Sequence, residues 1–177
     1  TTAAPRAARA MRISAAICSS SSRGVPPSAE SAAPNCVSSS IDAAGAGSHT
    51  PVLYQQVLSA LQPGAGSRHI DGTVGAGGHA AGILQASLPD GELLGLDRDP
   101  SALALARSHL ARFGGRVHLA HRSFAEMHLA AAALPWATVS GVLLDLGLSS
   151  MQVDDPARGF AFRLEGPLDM RFDPGQP

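Results

Sequence analysis

The chain has 177 residues, 45% of them apolar, enough for one domain with a buried core. Its formal net charge is −1, so the total demands no anionic partner; all 13 basic residues are Arg, a coding bias rather than a chemical signal. No apolar run reaches the ~18 residues of a membrane span, because Pro135 and Asp145 interrupt the best candidate, and Cys18 and Cys36 form neither a CxxC pair nor a Cys/His cluster with metal spacing.

Residues 1–47 are rich in Ala, Ser and Pro and carry four Arg with no acid before Glu30. They lack the large apolar residues that offset ordering entropy, so a disordered leader is expected. The same Arg-rich, Ser-rich, acid-poor composition also fits an organellar transit peptide, with a plastid or mitochondrion as destination. Otherwise the setting reads as bacterial-like cytoplasm.

Order is expected from about His49. Thr50 is a good N-cap with Pro51 at N1, and Leu53, Val57, Ala60 and Leu61 fall on one helical face that Pro63 and Gly64 end. "RHID" (68–71) reads as a short strand, followed by a glycine-rich turn and a helix through "HAAGILQASL". "GELLGLD" (91–97) is a second strand. Asp99 and Pro100 then open a helix with the stripe Leu103, Ala106, Leu110 and Phe113, stopped by Gly114. "RVHLAH" (116–121) is a third strand, a helix covers 125–134, and "VSGVLLDL" (139–146) is a fourth strand. Alternating strands and helices, with apolar runs in the strands, predict a parallel sheet covered on both faces.

Such sheets bind ligands at the carboxyl ends of their strands, where the glycine turn, Asp97 and Asp145 all fall. The stretch from Gly75 to Ala80 satisfies G-x-G-x-x-G/A, and Asp97 follows where a carboxylate can accept both hydroxyls of a ribose. A dinucleotide and S-adenosylmethionine both suit that geometry. Asp71, preceding the glycines, favours the second: a carboxylate beside a sulfonium and an amino group attracts, and beside a pyrophosphate it repels. The bland alternative is that Asp71 and Asp97 merely cap helices. Asp145 ends a buried strand, and a carboxylate there can face a methyl donor and orient an acceptor amine, a gain of placement and charge.

"HTPVLYQQVLSAL", "IDGTVGAGGH", "LGLDRDPSALALA", "GVLLDLGLSS", "DDPARGFAFR" and "GPLDMRFDP" follow in order over residues 49–174. Together they resemble the MraW/RsmH family, the cytosine-N4 methyltransferases of small-subunit ribosomal RNA. The resemblance implies a class I S-adenosylmethionine-dependent methyltransferase, a Rossmann-like α/β fold with a mostly parallel doubly wound sheet. Residues 48–177 would be the N-terminal part of its catalytic domain. The reaction implied is N4-methylation of a cytosine near the decoding site, with small-subunit RNA or the assembling subunit as partner and no metal. Carried over, Gly77, Gly78, His79, Asp97, Phe124, Asp145 and Gln152 would hold the cofactor, with Asp145 also catalytic. Ser149, Ser150, Arg158, Asp169 and Arg171 would face RNA or scaffold the loops through charge-assisted hydrogen bonds.

The chain departs from the family pattern at Ser140 (commonly aspartate), Arg122 (commonly glycine, one turn from Phe124) and Met151 (commonly proline). The family also continues past this chain's last residues, so the resemblance implies an unpaired sheet edge and a fragment inactive by itself; the near-neutral charge supplies no basic RNA surface. Two rival readings remain: a non-catalytic relative that binds RNA or the ribosome, and an NAD-type oxidoreductase.

Overall fold

Strands that are apolar on both sides must be covered from both sides. The computed structural model, which describes residues 15–18 and 51–175, has that arrangement. Its parallel strands are β1 (Ala15–Cys18), β2 (Arg68–Asp71), β3 (Glu92–Asp97), β4 (Val117–His121) and β5 (Gly141–Asp145), in the spatial order β1-β5-β2-β3-β4. Helices α1 (Tyr54–Leu61), α2 (Gly78–Ala86) and α3 (Pro100–Leu110) cover one face. There Val57, Leu61, Ile83, Leu103 and Leu110 close on Leu93 and Leu143. Helix α4 (Met127–Ala132) covers the other, where Ala130 and Ala131 join Ile70, Leu94, Leu96 and Val142. Leu93 and Leu94 therefore serve opposite cores, as the two-residue period of a strand dictates.

The expected elements appear with shifted ends. Helix α1 buries Val57 and Leu61, but Leu53 and Ala60 of the expected face are exposed. Leu53 precedes the helix in a left-handed conformation (φ 55°), which turns it off the buried stripe. Thr50, the expected cap, lies outside the described residues, as does His49. Gln62, also left-handed, ends the helix ahead of Pro63. In α3 the stripe Leu103, Ala106, Leu110 and Phe113 is buried as expected. The α-helix itself ends at Leu110 and passes into 3-10 turns over Ala111–Arg116, and Gly114, with φ 57° and ψ −134°, breaks the helical run there as expected. The helix expected over 125–134 divides into a 3-10 turn, Phe124–Glu126, and α4.

The sheet edge differs more. Within the segment read as having no secondary structure, Ala15–Cys18 is a strand; the rest of residues 1–47 lies outside the described residues. It pairs in parallel with β5, Ala15 opposite Val142 through Cys18 opposite Asp145, so β5 has a neighbour on both sides. Joining an edge requires only backbone N–H and C=O groups. Four residues of Ala-Ala-Ile-Cys give no periodicity by which to single them out. Among the described residues no helix is long and apolar enough to cross a membrane.

Ile70, fully buried in the central strand, is the residue on which the α4-side core closes. Ile70→Ala is expected to cost about 2–5 kcal/mol through lost transfer energy and a residual cavity. Urea denaturation at constant m-value measures it.

Candidate functional site

From β2 through β3 to β4 the sheet grows in one direction, and β5 then joins on the other side of β2. That reversal opens a crevice at the carboxyl ends of β2 and β5, the position where open α/β sheets receive ligands. Asp71, Asp97 and Asp145 are the last residues of β2, β3 and β5, so the topology alone gathers three carboxylates there.

Asp71 is 1% exposed. Its Oδ1 accepts the Thr73 N–H at 3.1 Å, and Thr73 favours the charged form. Burial, reinforced by the charges of Asp145 and Asp97, outweighs this and pushes the carboxyl up from 3.8 to about 7. The cost of burying this acid is therefore only partly offset.

The turn after β2 is stitched to β3. Val74 N–H donates to the Leu96 carbonyl, and Gly75 N–H donates to Asp97 Oδ2, both at 2.9 Å. Asp97 Oδ1 accepts the Asp99 N–H at 2.9 Å. Asp97 thus fixes the turn, each of its oxygens keeping a further lone pair. Gly77, at φ 87°, leads directly into α2, a conformation costly for any residue with a Cβ. At Gly72 a Cβ would come within 2.5 Å of Leu144 Cδ2 and 2.8 Å of Phe124 Cβ. The bare backbone at Gly72 is what lets Phe124 approach the end of β2.

His79, in the first turn of α2, is buried beneath Tyr54, ring centroids 6.1 Å apart and nearly parallel. Neither ring nitrogen makes a hydrogen bond of normal geometry, and Nε2 stands 3.7 Å from Asp145 Oδ2. Burial lowers the imidazole pKa, opposed by the Asp145 charge and the Val52 backbone. Asp145 is partly exposed at the mouth of the crevice, its N–H donating to Thr73 Oγ1 at 2.8 Å.

The remaining predicted residues lie after β5. Ser149 caps α5 (Ser150–Asp154) in a reciprocal box: its hydroxyl accepts the Gln152 N–H, and Gln152 Oε1 accepts the Ser149 N–H. Gln152 Nε2 donates to Asp99 Oδ2 at 3.1 Å, so both ends of its amide are bound within the protein. Arg158 reaches the same Asp99 oxygen at 2.8 Å and donates to the carbonyls of Arg171 and Phe172. Asp99, 2% exposed, also caps α3 through Ser101 N–H. Burial disfavours its charge, but bonds from Arg158, Gln152 and Ser101 prevail and hold its pKa below the usual range. Asp169 and Arg171 form an exposed pair, the guanidinium holding the Asp169 carboxyl down at about 2. Ser150 is exposed.

Gly77, Gly78, His79, Asp97, Phe124 and Asp145 are therefore brought to one crevice, while Gln152 and Arg158 turn inward to Asp99. Thr73 was not singled out from sequence; a hydroxyl two residues after a strand-end aspartate was the available signal. Asp173, buried and paired with His121 at 3.0 Å, gave none. Among the described residues no group of three or more His, Cys, Asp or Glu could hold a metal ion.

A family described as the MraW methylase family matches residues 46–177. The ribosomal RNA small subunit methyltransferase H of Nitratidesulfovibrio vulgaris (strain Miyazaki F) is 51% identical over 145 residues, covering 81% of this chain and 40% of that protein. The protein of the same name from Thermomicrobium roseum is 50% identical over 131 residues, 73% of this chain and 40% of its own. This chain spans about 40% of the length of these curated relatives. Among solved structures, a SAM-dependent O-methyltransferase from Thermotoga maritima aligns with 43% of this chain and 29% of its own at a TM-score of 0.39 and 27% identity.

Two outcomes are expected. Arg158→Ala strands the buried Asp99 carboxylate without a cation and is expected to cost about 3–5 kcal/mol in chemical denaturation. Asp71 works in the opposite sense. Its proton is held more tightly folded than unfolded, so its contribution is fullest below pH 3.8 and is lost as pH rises to about 7. Asp71→Asn, which retains an acceptor for Thr73, should therefore raise the melting temperature at pH 8 and converge on the parent toward pH 4.

Proposed function

The chain belongs to the MraW methylase family, and from that membership we propose that the whole protein transfers a methyl group from S-adenosylmethionine to N4 of a cytosine in small-subunit ribosomal RNA, near the decoding site. The observation that carries the reading is the gathering of Asp71, Asp97 and Asp145 around a glycine turn at the switch point. An acid-lined crevice suits a cationic sulfonium and amino group and repels a pyrophosphate, which weighs against the NAD-type reading. The names of the relatives support the RNA substrate; the N4 position and the bacterial-like cytoplasmic setting rest on resemblance.

The donor set fits that cofactor. Asp97 keeps lone pairs for the ribose hydroxyls, the backbone of Gly77, Gly78 and His79 lines the start of α2, and Phe124 stands exposed for the adenine. The cofactor supplies an electrophilic methyl on sulfur. Asp145, at the mouth, orients the acceptor amine by accepting its N–H, so that the nitrogen lone pair is directed to the methyl as the amine sheds its proton. Gln152, Ser149 and Arg158 support the crevice from behind through Asp99. Ser150, Asp169 and Arg171 remain for the RNA side. A non-catalytic RNA-binding relative would have no need of three acids at this point.

Calorimetric titration with S-adenosylmethionine tests the cofactor reading: Asp97→Ala should weaken binding by roughly 1.5–3 kcal/mol, the worth of hydrogen bonds to a charged group. In the full-length protein, Asp145→Asn at saturating cofactor should slow single-turnover methylation by about two orders of magnitude. A near-parental rate would leave Asp145 as part of the cofactor pocket only.

A further inference from the structure

The turn after β2 owes its shape to glycines, and glycines do not hold a shape by themselves. Gly75 (φ 52°) and Gly77 (φ 87°) take left-handed conformations on either side of Ala76. A residue without a Cβ reaches such angles freely and leaves them as freely, so the turn must be held from outside. From Val74 onward each residue has its own holder. Val74 N–H donates to the Leu96 carbonyl, and Gly75 N–H donates to Asp97 Oδ2. The next holder comes from α3, where His109 Nδ1 donates to the Ala76 carbonyl at 3.1 Å. A carbonyl only accepts, so this ring nitrogen is the one that carries the proton. The following residue, Leu110, packs against Gly77, where an added Cβ would come within 3.1 Å of its Cγ. Consecutive residues at the end of α3 therefore engage consecutive residues of the turn.

We propose that His109 is a positioning residue of the glycine turn: its Nδ1–H pins the Ala76 carbonyl and so sets the backbone that enters α2 for S-adenosylmethionine. The inference rests on the reading that this turn holds the cofactor. The peptide joining Ala76 to Gly77 has two polar ends. Its N–H, on Gly77, donates to the Val74 carbonyl at 2.8 Å, and its C=O accepts from His109. With both ends bound the peptide plane has one orientation, which fixes ψ of Ala76 and φ of Gly77 together. Gly77 then caps α2, its own carbonyl accepting the Ala81 N–H at 2.9 Å. The direction in which Gly78 and His79 present their backbone N–H groups thus follows from the plane that His109 holds. His109 itself is exposed, and the buried stripe of α3 is Leu103, Ala106 and Leu110. Neither the core nor helix propensity, which prefers Ala there, calls for histidine at this position. The Ala76 carbonyl does, because it needs a donor.

The test begins with the ligand-free chain, its histidines isotope-labelled, at alkaline pH. NMR of the ring nitrogens is expected to find the His109 proton on Nδ1; a bare Nδ1 overturns the proposal. His109→Ala removes the donor and suits the helix, so the fold is retained. His109→Asn returns an N–H to nearly the same point, since the Asn amide nitrogen takes the place of Nδ1. In His109→Ala, exchange of the Gly77 amide should quicken about fivefold, the worth of one net hydrogen bond. Calorimetric affinity for S-adenosylmethionine should fall by about the same factor, and His109→Asn should recover most of both. A residue that served only the helix would shift the melting temperature and leave Gly77 exchange at the parental rate, which overturns the proposal. Failure of Asn to recover the exchange overturns it too, as does equal cofactor affinity in parent and His109→Ala. Absence of binding by the parent refutes the cofactor reading instead, while the ligand-free exchange decides by itself whether His109 holds the turn.

Discussion

The site turns on a carboxylate that the fold buries without a cation. Asp71 ends the central strand, bounded by β3 and β5 and almost wholly out of solvent. Its hydrogen-bond partner is the Thr73 amide, and its charged neighbours are two further acids. Burial without compensation makes such a group a liability for stability, and it persists where the surroundings over-determine it. Here the surroundings are the parallel ladder on both sides and the stitched turn after it. The three acids leave the crevice deficient in positive charge, the term that a cationic ligand would supply on the proposed reading.

A second carboxylate, Asp99, shows the opposite solution. It is as buried as Asp71, yet it has a guanidinium, an amide and a backbone N–H. Through it the segment after β5 is tied to the start of α3, since Gln152 and Arg158 converge on one oxygen. Arg158 also holds the carbonyls of Arg171 and Phe172, so α5 and the segment that follows it share one buried anchor. The nearby crevice acid, Asp97, accepts the Asp99 N–H, so the anchor and the strand-end acid are two residues apart. Charge that is fully paired serves as scaffold, and charge left unpaired faces the crevice.

The fold was largely legible because apolar runs without alternation allow only a sheet covered on both faces, and helices with Leu103, Ala106 and Leu110 in register have one side to bury. The crevice was legible for the same reason: a strand-end aspartate must arrive at the carboxyl edge wherever the strand lies in the sheet. What escaped was whatever depends on two distant segments meeting. β1 carries no pattern of its own and is defined by its partner, β5. Gln152 and Arg158 belong to the short turns after β5, whose polar residues could face ligand or protein with equal ease. Only the meeting with Asp99, 53 and 59 residues away, decides that they turn inward. Thr73 was hidden by proximity instead. Next to an aspartate and a run of glycines it reads as turn chemistry, and its bond to Asp145, 72 residues on, exists only because β5 inserts beside β2. A sequence reveals which residues reach the crevice; the strand order decides which of them touch.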